Sequence, residues 1–298
     1  MYPKRLVLSG GGIKVVALVG SLLSLESAGH LKNVKEVCGV SAGAFLAFMI
    51  ASGYPITKIR SLILELDFSI IRNVSAEGFL GFPETFGVDD GAHLVKFLES
   101  MFKVALKMDP GITFAELARK GKYSFRCWAT DLSTRSAHEF SASNTPSVKI
   151  IDALRASMAL PMYFTPVLDP STGHVLSDGG IQGNLPLHHL SEDECQECLA
   201  LGFSPLSEAQ GGDVPISDLM GFISAMFSCL TYGRNDDKLA RWSHKILRIP
   251  VDGYPSWNFE ASREDREMLF QQGVTSTEAW LQNTAARSRV ILRRHSVG

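Results

Sequence analysis

Twice within its first fifty-two residues the chain writes a short apolar run, a glycine-flanked break and a long apolar helix. Leu6-Val-Leu8 reads as a short buried strand stopped by Gly10-Gly-Gly12, and Val15 to Ala28 as a helix apolar on most sides, hence packed on two faces. Glu36 to Val40 is a second buried strand and Ala42 to Ser52 a second buried helix. This repeated order is the pattern of an α/β fold with a largely parallel sheet. Downstream, Asp90 to Phe102 reads as an amphipathic helix with Asp89 or Asp90 as N-cap. Thr113 to Arg119 is a short helix whose Thr113 and Glu116 have capping-box spacing. Tyr123 to Thr130 is a strand, and Val148 to Met158 a helix that Pro161 and Pro166 turn into extended chain. His174 to Ser177 is a strand feeding Asp178-Gly-Gly180. Cys198 to Phe203 and Lys245 to Ile249 are further strands, and Arg263 to Trp280 a late helix.

Composition matters here for what it excludes. With 45% hydrophobic and 20% charged residues, the 298-residue chain can bury a sizeable core and is not disordered by default. Its 29 basic and 31 acidic residues leave a net charge of -2, so nothing marks it as a nucleic-acid binder. The five cysteines, Cys38, Cys127, Cys195, Cys198 and Cys229, are odd in number and sparse, which favours a reducing, cytoplasmic compartment over a disulfide framework. The apolar run after Lys4-Arg5 is too short for a signal peptide. Val37 to Thr57 is uncharged and long enough to span a bilayer, but Gly39, Ser41, Gly43, Gly53 and Pro55 split it into a strand and a helix, so no transmembrane helix is expected. Gln210 to Pro215 is the only linker-like stretch. No composition shift marks a boundary, so residues 1–298 read as a single domain.

Three motifs carry chemistry. Gly39-Val-Ser41-Ala-Gly43 matches G-x-S-x-G between a strand and a helix, the context of a nucleophile elbow. Side chains at the flanking positions would clash on so sharp a turn, and the turn sets the hydroxyl at the positive end of a helix. Ser9-Gly-Gly-Gly12-Ile-Lys14, about thirty residues earlier, exposes backbone N–H groups able to hold a tetrahedral oxyanion, with Lys14 adding positive charge. A P-loop would need Ser or Thr after the lysine, and a dinucleotide fingerprint would need Gly or Ala where Val15 stands. Asp178-Gly-Gly180 alone is an ordinary turn signal. A serine nucleophile needs a base, usually a histidine. The chain offers His93, His138, His174, His188, His189, His244 and His295, none in a context that favours it over the rest.

Taken together and in this order, the three motifs resemble the patatin-like phospholipases. Ala129-Thr-Asp-Leu132, Ala156-Ser-Met-Ala-Leu-Pro161 with Phe164 and Pro166, and Asn184-Leu-Pro186 are similar to the same family, so the resemblance covers roughly Leu6 to Leu187. It implies a three-layer α/β/α fold and a serine–aspartate dyad without a catalytic histidine. Ser41 is then the nucleophile and Asp178 the base. Gly11 and Gly12 are the main oxyanion donors, with Gly10 and Lys14 adjacent and Gly39 and Gly43 shaping the elbow. It implies no metal and no cofactor. The Asp89-Asp90-Gly91 stretch lacks the spaced oxygen ligands of a calcium loop. A free aspartate is a poor base, so Asp178 is expected to be largely desolvated.

The expected activity is calcium-independent hydrolysis of fatty-acyl esters in phospholipid or lysophospholipid at a membrane surface, by a peripheral cytoplasmic protein; no motif in the chain identifies an activating protein partner. Two rivals stand beside it: an α/β-hydrolase with a Ser–His–Asp triad, for which His244 is the least poor candidate, and a non-catalytic relative that binds lipid. Cys195-x-x-Cys198 near His188 and His189 is one pair only and reads as incidental thiols rather than zinc ligands. Ser217 to Leu230 reads as an interfacial helix or a core helix. Arg287, Arg289, Arg293 and Arg294 mark a tail that reads as solvated, with anionic membrane as the alternative.

Overall fold

The computed structural model describes residues 2–204, 222, 225–226, 237–251 and 259–295, with side chains through residue 284. The linker-like stretch 210–215 and most of the apolar stretch 217–230 lie outside the described residues. The first half of the chain runs β1 (Arg5–Leu8), α1 (Val15–Ser27), β2 (Glu36–Val40), α2 (Ala42–Ala51), α3 (Ile56–Glu65), α4 (Ala76–Thr85), β3 (Gly87–Asp89), α5 (Ala92–Ser100), α6 (Phe114–Lys120) and β4 (Ser124–Asp131). Then come β5 (Ser136–Ser141), α7 (Ile150–Ser157), β6 (Met162–Phe164), β7 (Val167–Leu168), β8 (Val175–Asp178), α8 (Glu192–Gln196) and β9 (Cys198–Ser204). After them follow α9 (Asp237–Arg241), β10 (Ile246–Pro250) and α10 (Arg263–His295).

The expected three-layer α/β/α arrangement is present. The main sheet has the order β10-β9-β1-β2-β4-β8-β7, with β5 also on β4. The pairs from β10 to β4 are parallel, and β4–β5, β4–β8 and β7–β8 are antiparallel. Strands β9 and β10, from beyond the motif-bearing part, thus join the same sheet as β1. Helices α1 and α2 are apolar nearly all round because both are buried between layers. Helix α1 packs against α10 at a glycine crossing. A Cβ on Gly20 would lie 2.1 Å from the Phe270 carbonyl oxygen, and one on Gly273 would lie 1.9 Å from that of Ala17. Ser21 adds a bond to the Gly273 carbonyl at 3.0 Å.

Register on β4 decides where the chemistry sits. Residues 126–131 pair with β5 along one edge. Residues 124–128 pair with β2, and 129–131 with β8, so both strands lie on the other edge. They run toward each other and meet where Val40 pairs with Trp128 and Asp178 with Ala129. Ser41 and Asp178, far apart in sequence, are brought together by consecutive positions of one strand.

Three expectations need correction. The helix expected over 90–102 begins at Ala92, with Gly91 in the left-handed region at its N-cap. Asp89 ends β3, buried, and accepts from the Gly91 N–H at 2.8 Å, while Asp90 accepts from Ala92 at 2.8 Å. After Ser100 the helix widens into a π-helical turn over Met101–Leu106. The late helix, expected to end at Trp280, continues to His295 and takes in the arginine-bearing stretch. Among the described residues no helix is long and apolar enough to cross a membrane, and 37–57 forms β2, α2 and the turn into α3.

Candidate active site

Ser41 caps α2 with φ 54° and ψ -133°, a strained backbone for a residue with a Cβ. The flanking glycines are required by crowding, not by their own torsions. A Cβ on Gly39 would lie 2.4 Å from the Gly43 carbonyl oxygen, and one on Gly43 would lie 2.3 Å from that of Ser9. The Ser41 N–H donates to Ser157 Oγ at 2.9 Å, and the Ser157 hydroxyl donates to the Trp128 carbonyl at 2.7 Å. A buried hydroxyl therefore ties the elbow to β4.

The Ser41 hydroxyl donates to Asp178 Oδ2 at 2.6 Å, and Asp178 Oδ1 accepts from the Gly180 N–H at 2.7 Å. The Asp178 backbone is held too. Its N–H donates to Ala159 O at 2.8 Å, and its carbonyl accepts from Thr130 Oγ1 at 2.9 Å. Only 2% of Asp178 is exposed, in line with the expected desolvation. Burial pushes its pKa up to about 6, against the opposing pull of the Ser41 and Gly180 hydrogen bonds.

The glycine loop divides its tasks. Gly10, expected beside the donors rather than as a main one, donates its N–H to the Asn184 carbonyl at 2.9 Å and packs closely against Ser41 and Asn184. Gly11 and Gly12 have φ 151° and 55°, and among the described residues neither N–H meets an acceptor. Both line the pocket that holds Ser41 and Asp178. Lys14 closes the turn through its N–H to Gly11 O at 3.2 Å, and it is not part of the described pocket wall.

That pocket has an empty volume of about 1070 Å³. Among the described residues, Ser41, Asp178 and Asn184 are its only polar side chains; the rest of the wall is glycine, aliphatic, methionine and phenylalanine. It follows one face of α2 through Ala42, Phe45, Leu46 and Met49. At 1.5 Å of rise per residue, Met49 sits roughly 12 Å along the helix from Ser41. Helix α3 supplies more of the wall through Leu62 and Ile63, with Leu66 at its C-cap.

No described histidine lines the pocket. His244 packs on Trp242, with ring centroids 5.6 Å apart, and His174 binds Asp131 at 2.8 Å. His93 contacts the Arg72 carbonyl at 2.7 Å. His189 stacks on Trp128, and burial, with His188 beside it, lowers its pKa to about 3. Cys195 and Cys198 are buried thiols, and among the described residues no three His, Cys, Asp or Glu side chains cluster as metal ligands.

Sequence reasoning assigned no role to Ser157 or Asn184. Both lie within stretches that carried the family resemblance, which was the available signal. Ser157→Ala leaves the Ser41 N–H and Trp128 carbonyl without their partner. The expected cost is about 1–3 kcal/mol of stability, together with a roughly tenfold fall in turnover from a misplaced nucleophile. Unchanged KM with lowered kcat on a soluble ester would separate misplacement from loss of binding.

The chain is 26% identical over 285 residues to "Uncharacterized protein R571" of Acanthamoeba polyphaga mimivirus, covering 92% of each. It is 25% identical over 186 residues to "Probable lipid hydrolase 463L" of Invertebrate iridescent virus 6, covering 62% of each. Among solved structures, VipD from Legionella pneumophila shares the fold, with a TM-score of 0.64 at 19% identity over 95% of this chain and 67% of that one. The sequence model of the family described as "Patatin-like phospholipase" matches residues 6–191, more than half of the chain. The chain therefore belongs to the patatin-like phospholipase family.

Proposed function

We propose that this protein is a serine hydrolase that cleaves fatty-acyl esters of phospholipid or lysophospholipid through a Ser41–Asp178 dyad. The observation that carries the reading is the 2.6 Å hydrogen bond from the Ser41 hydroxyl to a buried carboxylate. As Ser41 Oγ attacks the ester carbonyl, its proton passes to Asp178 Oδ2. The carbonyl oxygen becomes an oxyanion received by the Gly11 and Gly12 N–H groups. When the tetrahedral intermediate collapses, the proton goes to the leaving alcohol and an acyl-serine remains. Asp178 then takes a proton from water, which attacks the acyl carbonyl; as the second tetrahedral intermediate collapses the bond to Ser41 Oγ breaks, Asp178 returns the proton to that oxygen, and the fatty acid leaves. The acyl chain lies in the apolar pocket beyond Ser41.

We read the reaction as independent of calcium, since the carboxylates of Asp89 and Asp90 are engaged by backbone N–H groups. Family kinship with a probable lipid hydrolase supports the substrate class. The reading includes peripheral attachment to a membrane from the cytoplasm, and the pairing of β9 with β1 supports 1–298 acting as one unit.

Fatty-acid release from mixed phospholipid vesicles in a calcium chelator tests the proposal, with fluorophosphonate labelling of Ser41 as the check on the nucleophile. Asp178 must be ionised to act as base, so activity should rise with pH through about 6 and then level. A profile flat from pH 5 to 8, or a histidine whose replacement silences the enzyme, would refute the dyad.

A further inference from the structure

Behind the acyl pocket lies a second, open groove with an empty volume of about 970 Å³. Leu62, Leu66 and Phe97 line both cavities, so one layer of side chains separates them. The groove is built from two facing stripes. Leu62 of α3 and Leu66 just past its end continue into Ile70; Phe97 of α5 continues into Met101 and Val104 on the π-helical turn. The wide turn keeps the second stripe pointing into the groove beyond the end of α5. Ile70 is 49% and Val104 74% exposed, so this apolar surface stands open to water.

One end differs in kind. Lys96 and His93 line the groove near the start of the second stripe. Lys96 is exposed and makes no ion pair among the described residues, whereas Lys103 on the same helical stretch pairs with Glu99 at 3.6 Å. From Phe97 to Ala105 the stripe is roughly 12 Å long at helical rise. An apolar trough of that length with a cation at one end complements a single-chain amphiphile with an anionic head.

We propose that this groove is a binding site for a long-chain fatty carboxylate, with its head at Lys96 and its tail along the Ile70–Val104 trough. The ligand belongs to the product class of the reaction proposed above, but binding here requires no turnover. Seated on the outer side of Leu62, Leu66 and Phe97, it would press on the wall of the acyl pocket.

The test is equilibrium binding of cis-parinarate, with oleate as competitor, to Ser41→Ala/Met49→Trp protein. The first substitution prevents chemistry and the second blocks the far end of the acyl pocket against long chains. Saturable binding is expected, weakened at least about tenfold by Lys96→Glu and by Val104→Asp, both at exposed positions and checked by unchanged melting temperatures. Absence of binding in this background, or binding indifferent to both variants, would overturn the site. Neither outcome bears on ester hydrolysis by the wild type, so the two readings fail separately.

Discussion

Asp178→Asn is expected to lower kcat by a thousandfold or more, at the upper end of what general acid–base catalysis supplies, and at the same time to stabilise the protein at pH 8. The amide keeps the shape of the side chain but cannot accept the Ser41 proton. The stability effect follows from linkage. The carboxyl of Asp178 titrates at about 6 in the fold against an ordinary 3.8. A carboxyl raised by folding contributes its full stability below its ordinary pKa, and that contribution is lost as pH rises through about 6. At pH 8 the native enzyme buries a charge that the amide does not carry, a difference of up to about 3 kcal/mol. Melting temperatures of the two proteins should therefore be closest near pH 4, draw apart between about pH 4 and 6, and keep a constant gap above that. Ser41→Ala should silence the enzyme equally, without the pH-dependent gain. An active Asp178→Asn protein would remove the dyad; an inactive one with no gain at pH 8 would remove the account of desolvation.

The second large effect concerns chain length. Met49 is the pocket-lining residue of α2 farthest from Ser41, and it is 1% exposed. An extended acyl chain of about ten carbons covers the roughly 12 Å between them. Met49→Trp brings a larger side chain into that end of the cavity. Each buried methylene is worth about 0.8 kcal/mol. Shutting out about four of them should lower kcat/KM for twelve-carbon and longer esters by roughly a hundredfold. Four-carbon esters, which never reach Met49, should change by no more than about threefold. A series of p-nitrophenyl esters from four to sixteen carbons reads this directly. Equal losses at every length would mean damage to the catalytic centre, and no loss at any length would mean that the chain takes another path.

The sequence made the catalytic centre more legible than its surroundings, for a physical reason. Gly39, Gly43 and the Gly10–Gly12 run are local signals because the close approaches that they permit admit no side chain, and both elbows fall where strand and helix were expected. The Thr113–Glu116 capping box is formed as its spacing suggested. Strands β6 and β7, of three and two residues, are too short to show a period. Helix α4 buries none of its residues and contains Pro83, so neither stripe nor propensity announced it. The roles of Ser157 and Asn184 depend on contacts between segments far apart in sequence. Nothing local to Ser157 says that its hydroxyl meets the Ser41 N–H. The same is true of Gly10, whose N–H is taken by Asn184 from the far side of the dyad.

The meeting of β2 and β8 along one edge of β4 makes this site a register of complete assembly. A partly folded chain holding β1, β2 and α2 already has its serine, yet it has no base until β8 arrives antiparallel and in step. A slip of one residue would turn Asp178 to the opposite face of the sheet. On the proposed dyad, a newly made chain becomes competent for hydrolysis only once β8 has paired with β4. In a refolding experiment the return of hydrolysis reports that closure itself, and it should trail the recovery of helical signal.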